Sequence, residues 1–98
     1  MKVLLTALAE LDVLAEDEWW RTNRDETELF HDELAAALVI LCHAPRVGTR
    51  VRREGAGEVR RLNLRKTRRH LFYVVDETAE TVTVPRVCGA QREEPPQL

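Results

Sequence analysis

Residues Arg60 to His70 read RRLNLRKTRRH, and most side chains able to do chemistry in this chain lie in or near that stretch. Guanidinium groups grip carboxylate or phosphate oxygens through paired hydrogen bonds. An imidazole titrates near neutral pH, which makes His70 a candidate general base. In an extended strand alternate residues share a face, so Arg61, Asn63 and Arg65 lie together, opposite Leu62 and Leu64. Arg60 has the parity of the leucines but opens the strand, where its long stem lets the charge escape to solvent. Arg92, close to the end of the chain, is a further cation placed to meet an anion. The set is either a solvated face or a surface built to meet something negative.

Charge is unevenly distributed. The formal net charge is −2, yet residues 46–70 carry ten basic and two acidic side chains. Residues 1–45 carry three basic and ten acidic ones, and residues 71–98 carry two and five. Such a basic block is either the footprint of an acidic macromolecule or the internal counter-charge of the acidic segments.

The elements that must position these residues follow from periodicity. The segment KVLLT (2–6) is short and branched, and reads as a strand. From Ala7, Leu8, Leu11, Ala15 and Trp19 recur at helical steps and are expected to form one buried face, with Trp20 pointing elsewhere. RTNRDE interrupts the pattern, and Asn23 with Glu26 has the spacing of a capping box opening a second helix. Phe30, Leu34, Ala37, Leu38 and Leu41 make its apolar stripe, which Pro45 and Gly48 end. Residues 46–58 have no sustained period and read as a loop, with room for a short irregular strand. Three strands follow: VRRLNLR, the apolar HLFYVVD as a central strand, and ETVTVPRVCG. Pro85 lacks an amide donor and marks an edge or a bulge. Tyr73 reads as core, while His31, His43 and His70 read as wholly or partly exposed. The expected fold class is α+β: an N-terminal strand, then an antiparallel helical hairpin packed on a small, mainly antiparallel sheet.

At 98 residues the chain suits a single domain, 1–98, with 93–98 a polar terminal tail. Apolar content of 44% and charged content of 33% fit a soluble globular protein, and no apolar run could span a membrane. Glu10 and Asp12 interrupt what would otherwise resemble a signal peptide, so a cytoplasmic location is expected. Cys42 and Cys88 stand far apart without paired-ligand spacing, and they signal neither a disulfide framework nor a metal site. No cofactor is indicated.

The order of elements, the DELAAAL and APRVG around the end of the second helix, the VRRLNLRKTRRHLFYVVD hairpin and the closing VTVPRVCGAQRE together resemble the RelE/ParE superfamily of bacterial toxins. Its plasmid-stabilisation, ParE-like branch is the nearest. The resemblance covers about Val3 to Pro95 and implies the toxin of a type II toxin–antitoxin pair, held as a hetero-oligomer by a cognate antitoxin. ParE-like members inhibit DNA gyrase; RelE-like members cut mRNA on the ribosome. In the family the sheet face away from the helices is the surface met by RNA or covered by antitoxin. Here that face implies partner-binding roles for Arg60, Arg61, Asn63, Arg65 and Arg92.

Metal-independent RNA cleavage needs a base, charge stabilisation at phosphorus and a proton donor for the leaving oxygen. By the resemblance, Arg61, His70 and Arg92 match catalytic positions. Asn63 replaces a second cation, His70 stands where an arginine is usual, and no Tyr or His follows Tyr73. An inhibitor acting by binding is therefore the first expectation. A nuclease using Arg61, His70 and Arg92 is the alternative, and a degenerate basic binding module the third.

Overall fold

The computed structural model describes residues 1–55 and 57–89. Chain order is β1 (Lys2–Leu5), α1 (Ala7–Asn23), α2 (Leu29–His43), β2 (Thr49–Glu54), β3 (Gly57–Leu64), β4 (Arg69–Asp76) and β5 (Thr81–Gly89). The strands form one sheet in the order β1-β5-β4-β3-β2. β1 runs parallel to β5, and every other neighbouring pair is antiparallel. The α+β expectation holds, with β4 in the middle of the sheet.

The sequence underestimates the region before β3. Residues 49–54 form a full strand paired with β3 through a tight turn in which Gly55 takes φ +57°. The pattern is hard to see because the register shifts between Arg50 and Arg52, which breaks the two-residue alternation. The proposed capping box is also absent. α1 continues through Asn23, whose side-chain amide donates to the Trp19 carbonyl at 2.9 Å and so closes this helix rather than opening the next. α2 starts at Leu29 without a side-chain cap.

The buried face of α1 is displaced by one residue from the most apolar stripe. Ala9, Val13 and Trp20 meet the core, with Trp20 only 7% exposed. Leu8, Leu11 and Leu14 are 56–65% exposed and Trp19 39%, so the expected roles of the two tryptophans are reversed. α2 behaves as read: Phe30, Leu34, Ala37 and Leu41 are buried and Leu38 is half-buried against the core. Beneath the helices lie Leu62, Leu64, Leu71, Tyr73, Val75, Val82 and Val84.

Pro85 sits in a bulge. Phe72 pairs with Arg86 and Val74 with Thr83, leaving Val84 and Pro85 opposite Tyr73. β1 ends at this point. Thr6 donates its hydroxyl to the Pro85 carbonyl at 2.8 Å and accepts the Ala9 amide at 3.1 Å, so one side chain anchors the bulge and caps α1.

Gly48 does more than follow the helix end. It is buried, its amide donates to the Tyr73 hydroxyl at 2.9 Å, and a Cβ there would lie 2.5 Å from the Arg61 carbonyl oxygen and 2.6 Å from the Tyr73 hydroxyl. Gly48→Ala is expected to destabilise the fold by about 1–3 kcal/mol through overpacking. Leu41→Ala should cost about 2–5 kcal/mol, and Leu38→Ala less, because only part of that side chain leaves water. Urea unfolding of the three variants checks this order.

Candidate functional site: the basic sheet face

The helices hold the sheet with three carboxylates. Asp12 of α1 accepts Arg86 Nε at 2.8 Å, Arg86 Nη2 at 3.0 Å and the Val87 backbone amide at 3.0 Å. Glu16, one turn on, accepts Arg69 Nε at 2.8 Å. Glu33 of α2 accepts the Lys66 amide at 2.8 Å, the Thr67 amide at 3.0 Å and the Thr67 hydroxyl at 2.7 Å. The turn between β3 and β4 (65–68), with Arg68 at φ +56°, is thereby fastened to the helical layer.

Part of the basic block is thus the internal counter-charge of the acidic helices, and part is not. Arg60 belongs to the first group. It does not escape to solvent as its position suggested. Its guanidinium pairs with Glu58 and donates to the carbonyls of Gly48 at 2.6 Å and Arg46 at 3.0 Å, which ties the α2–β2 connection to the sheet. The reason is parity: Arg60 points to the helix side, where three acceptors converge. Arg46 is bound to Glu77 at 2.6 Å, and this carboxylate raises the guanidinium pKa.

Arg61, Arg65 and Arg68 form no ion pair among the described residues. With Asn63, Leu64, Arg69 and His70 they line one open depression of about 320 Å³ at the β3–β4 turn, to which Arg61, Asn63 and His70 contribute from the strand parity opposite Leu62, Leu64 and Leu71. The register explains the assembly. Asn63 lies opposite His70, and His70 opposite Cys88, so the three make one row across β3, β4 and β5. Arg61 pairs with Phe72 in the neighbouring row, and the rings of Phe72 and His70 meet edge to face at 5.1 Å. Arg61 Nε is buried without a hydrogen-bond partner, an unusual state for a guanidinium atom and one an incoming oxyanion would relieve.

Of the residues singled out in the sequence, Arg61, Asn63, Arg65 and His70 come together here. Arg92 lies outside the described residues. His70 differs from expectation in being only 3% exposed, because Phe72 and its cross-strand neighbours enclose it. Arg68 was missed, since its place on the rim depends on the turn that Glu33 holds and not on strand alternation. Tyr73 is fully buried on the helix side and bonded to Gly48; burial pushes its phenol pKa up. It therefore offers no proton to the outer face. Among the described residues no group of three or more His, Cys, Asp or Glu is arranged to hold a metal. No described helix is long and apolar enough to cross a membrane.

Two helices laid on a five-stranded, mostly antiparallel sheet of this order form a RelE-like fold. The chain is similar to the solved structure of the isolated RelE toxin from E. coli, with 24% sequence identity over 95% of this chain and 87% of that one and a TM-score of 0.63. No family model and no curated protein sequence matches the chain.

Glu33 should govern the shape of the depression at a distance. Glu33→Ala leaves three donors without their acceptor and is expected to cost about 1–3 kcal/mol. Hydrogen exchange at the Lys66 and Thr67 amides should accelerate before that of the β4 core amides.

Proposed function

We propose that the chain is the toxin of a type II toxin–antitoxin pair, and that it acts by binding rather than by cutting RNA. The carrying observation is the division of labour on the sheet. Three guanidinium groups without counter-ions among the described residues converge on one depression, while of the groups suited to proton transfer His70 lines it with only 3% of its surface exposed and Tyr73 does not reach it. His70 is buried in the strand row, and Tyr73 faces the other way. A face like this can grip carboxylates in parallel hydrogen bonds, which suits an acidic segment of a cognate antitoxin or of a protein target such as DNA gyrase. Arg61, Asn63 and Arg65 carry the binding, joined by Arg68, and Arg92 belongs to the same set by its place in the sequence. This reading puts the protein in the cytoplasm, in a hetero-oligomer with its antitoxin, in the manner of plasmid-stabilisation toxins.

One observation favours a second reading. Arg61 and His70 line the same depression, and the fold likeness is to a RelE toxin. A metal-independent mRNA endonuclease would use Arg61 and Arg92 for phosphate charge and His70 for the proton.

Expression without the antitoxin separates the two. The binding reading expects arrested DNA replication or division before any mRNA loss, and His70→Ala retaining most of the toxicity. Rapid cleavage within ribosome-bound codons that His70→Ala abolishes would establish the nuclease. The double variant Arg61→Glu, Arg65→Glu should slow association with antitoxin on the order of tenfold at low salt and flatten its salt dependence. Association kinetics across an ionic-strength series measure both.

A further inference from the structure

A second cavity, of about 490 Å³, has the end of α1 and its connection to α2 on one side and the β3–β4 turn on the other, and neither reading above uses it. Trp19 and Trp20, the only tryptophans in the chain, both line it. Their rings meet edge to face at 5.6 Å. Arg24 stands over both indoles, 5.3 Å from the Trp19 centroid and 5.9 Å from that of Trp20, and Arg69 lies over Trp19 at 5.6 Å. Glu16 holds Arg69, so this aromatic and guanidinium cluster is in place before any ligand arrives. Trp19 is exposed, while Trp20 is buried and its Nε1 has no hydrogen-bond partner, a donor of the kind that normally finds an acceptor. The charges are sorted by wall. The connection contributes Asp25 and Glu26, and the turn contributes Lys66 and Arg68; none of the four forms an ion pair among the described residues. A segment carrying only carboxylates would be repelled by the acidic wall, and a bare phosphate would leave the indoles uncovered. A ligand with a flat ring, hydrogen-bond donors at one end and an anion at the other matches all three features.

We propose that this cavity binds a nucleoside 5′-phosphate whose base carries an amino group. The base packs on the Trp19 indole and the guanidinium groups beside it, since every base presents a flat π-face to aromatic rings and guanidinium planes. Its amino group donates to the Asp25 or Glu26 carboxylate, and its phosphate accepts from Lys66 and Arg68. The volume suits one ligand of this size. Arg68 and Arg69 also line the basic depression, so the turn is the ridge between the two sites. A nucleotide that engages Arg68 withdraws a cation from the face that meets the antitoxin and weakens that partner's hold. This consequence rests on the binding function proposed above; nucleotide binding itself does not.

The test uses the full chain at low salt and follows indole fluorescence, which only Trp19 and Trp20 supply, together with calorimetry. Adenosine 5′-phosphate should quench the indoles and saturate at one per chain. Adenosine, which lacks the phosphate, should bind about tenfold more weakly, and ribose 5-phosphate, which lacks the base, should leave the fluorescence unchanged. Inosine 5′-phosphate, with an oxygen in place of the amino group, should bind more weakly than adenosine 5′-phosphate, and Asp25→Ala with Glu26→Ala should remove that difference. Lys66→Ala with Arg68→Ala should bring adenosine 5′-phosphate down to the affinity of adenosine. Trp19→Leu, which keeps Trp20 as the reporter, should lower affinity about tenfold. Equal affinities for adenosine 5′-phosphate and ribose 5-phosphate, or for the adenine and inosine nucleotides, would overturn the proposal. So would a tetraglutamate peptide that binds as tightly as the nucleotide, because the surface would then read charge alone. Should Trp19→Leu fail to fold, the comparison of adenosine 5′-phosphate with ribose 5-phosphate on the unaltered chain decides the matter alone.

Discussion

Everything on the sheet face depends on three carboxylates that reach down from the helices. Apolar packing alone fixes how far two layers stand apart, but it leaves them free to slide and rotate. Asp12, Glu16 and Glu33 remove that freedom with directional bonds to backbone amides and guanidinium groups at one end of the sheet. They also decide which cations are consumed inside the molecule. Arg69 and Arg86 are held by α1, and the Lys66–Thr67 backbone by α2. Arg61, Arg65 and Arg68, which line the depression, are among the cations these carboxylates leave unpaired among the described residues.

The same constraint explains where the sequence could be read and where it could not. α2 has one job, burying an apolar stripe, and its residues announce it. α1 has two. Its most apolar stripe, Leu8, Leu11, Ala15 and Trp19, would have turned Asp12 and Glu16 away from Arg86 and Arg69. The observed register, through Ala9, Val13, Glu16 and Trp20, gives up some apolar burial to bring the carboxylates inward. Hydrophobic periodicity weighs only the first of these demands, so it misses the register by a single residue.

The sheet shows a parallel contrast. β3 and β4 alternate regularly, and the partition of Leu62 and Leu64 from Arg61, Asn63 and Arg65 was legible from parity alone. β2 was hidden by its bulge. Arg60 was misjudged because its three acceptors, Glu58 and two loop carbonyls, come from a connection whose path no local pattern reveals. Gly48 showed itself in the sequence only as a helix stop; its role as the point where a loop passes within touching distance of β3 and Tyr73 needs the third dimension.

The parallel pairing of β1 with β5 has a consequence for how the protein comes into being. Lys2 aligns with Thr81 and Leu5 with Val84, so the first strand to be synthesised takes its place beside the last described one. Closing so long a loop yields nothing until β5 has been made, which makes this contact late and slow to form. On a nascent chain still lacking β5, the β3–β4 hairpin can already fold, but β1 has no neighbour and Asp12 has neither Arg86 nor the Val87 amide to hold. Maturation of the domain is therefore tied to the synthesis of β5, and a chain cut short before residue 81 would carry its cations on a sheet whose helical layer has nothing to lock onto at the β5 edge.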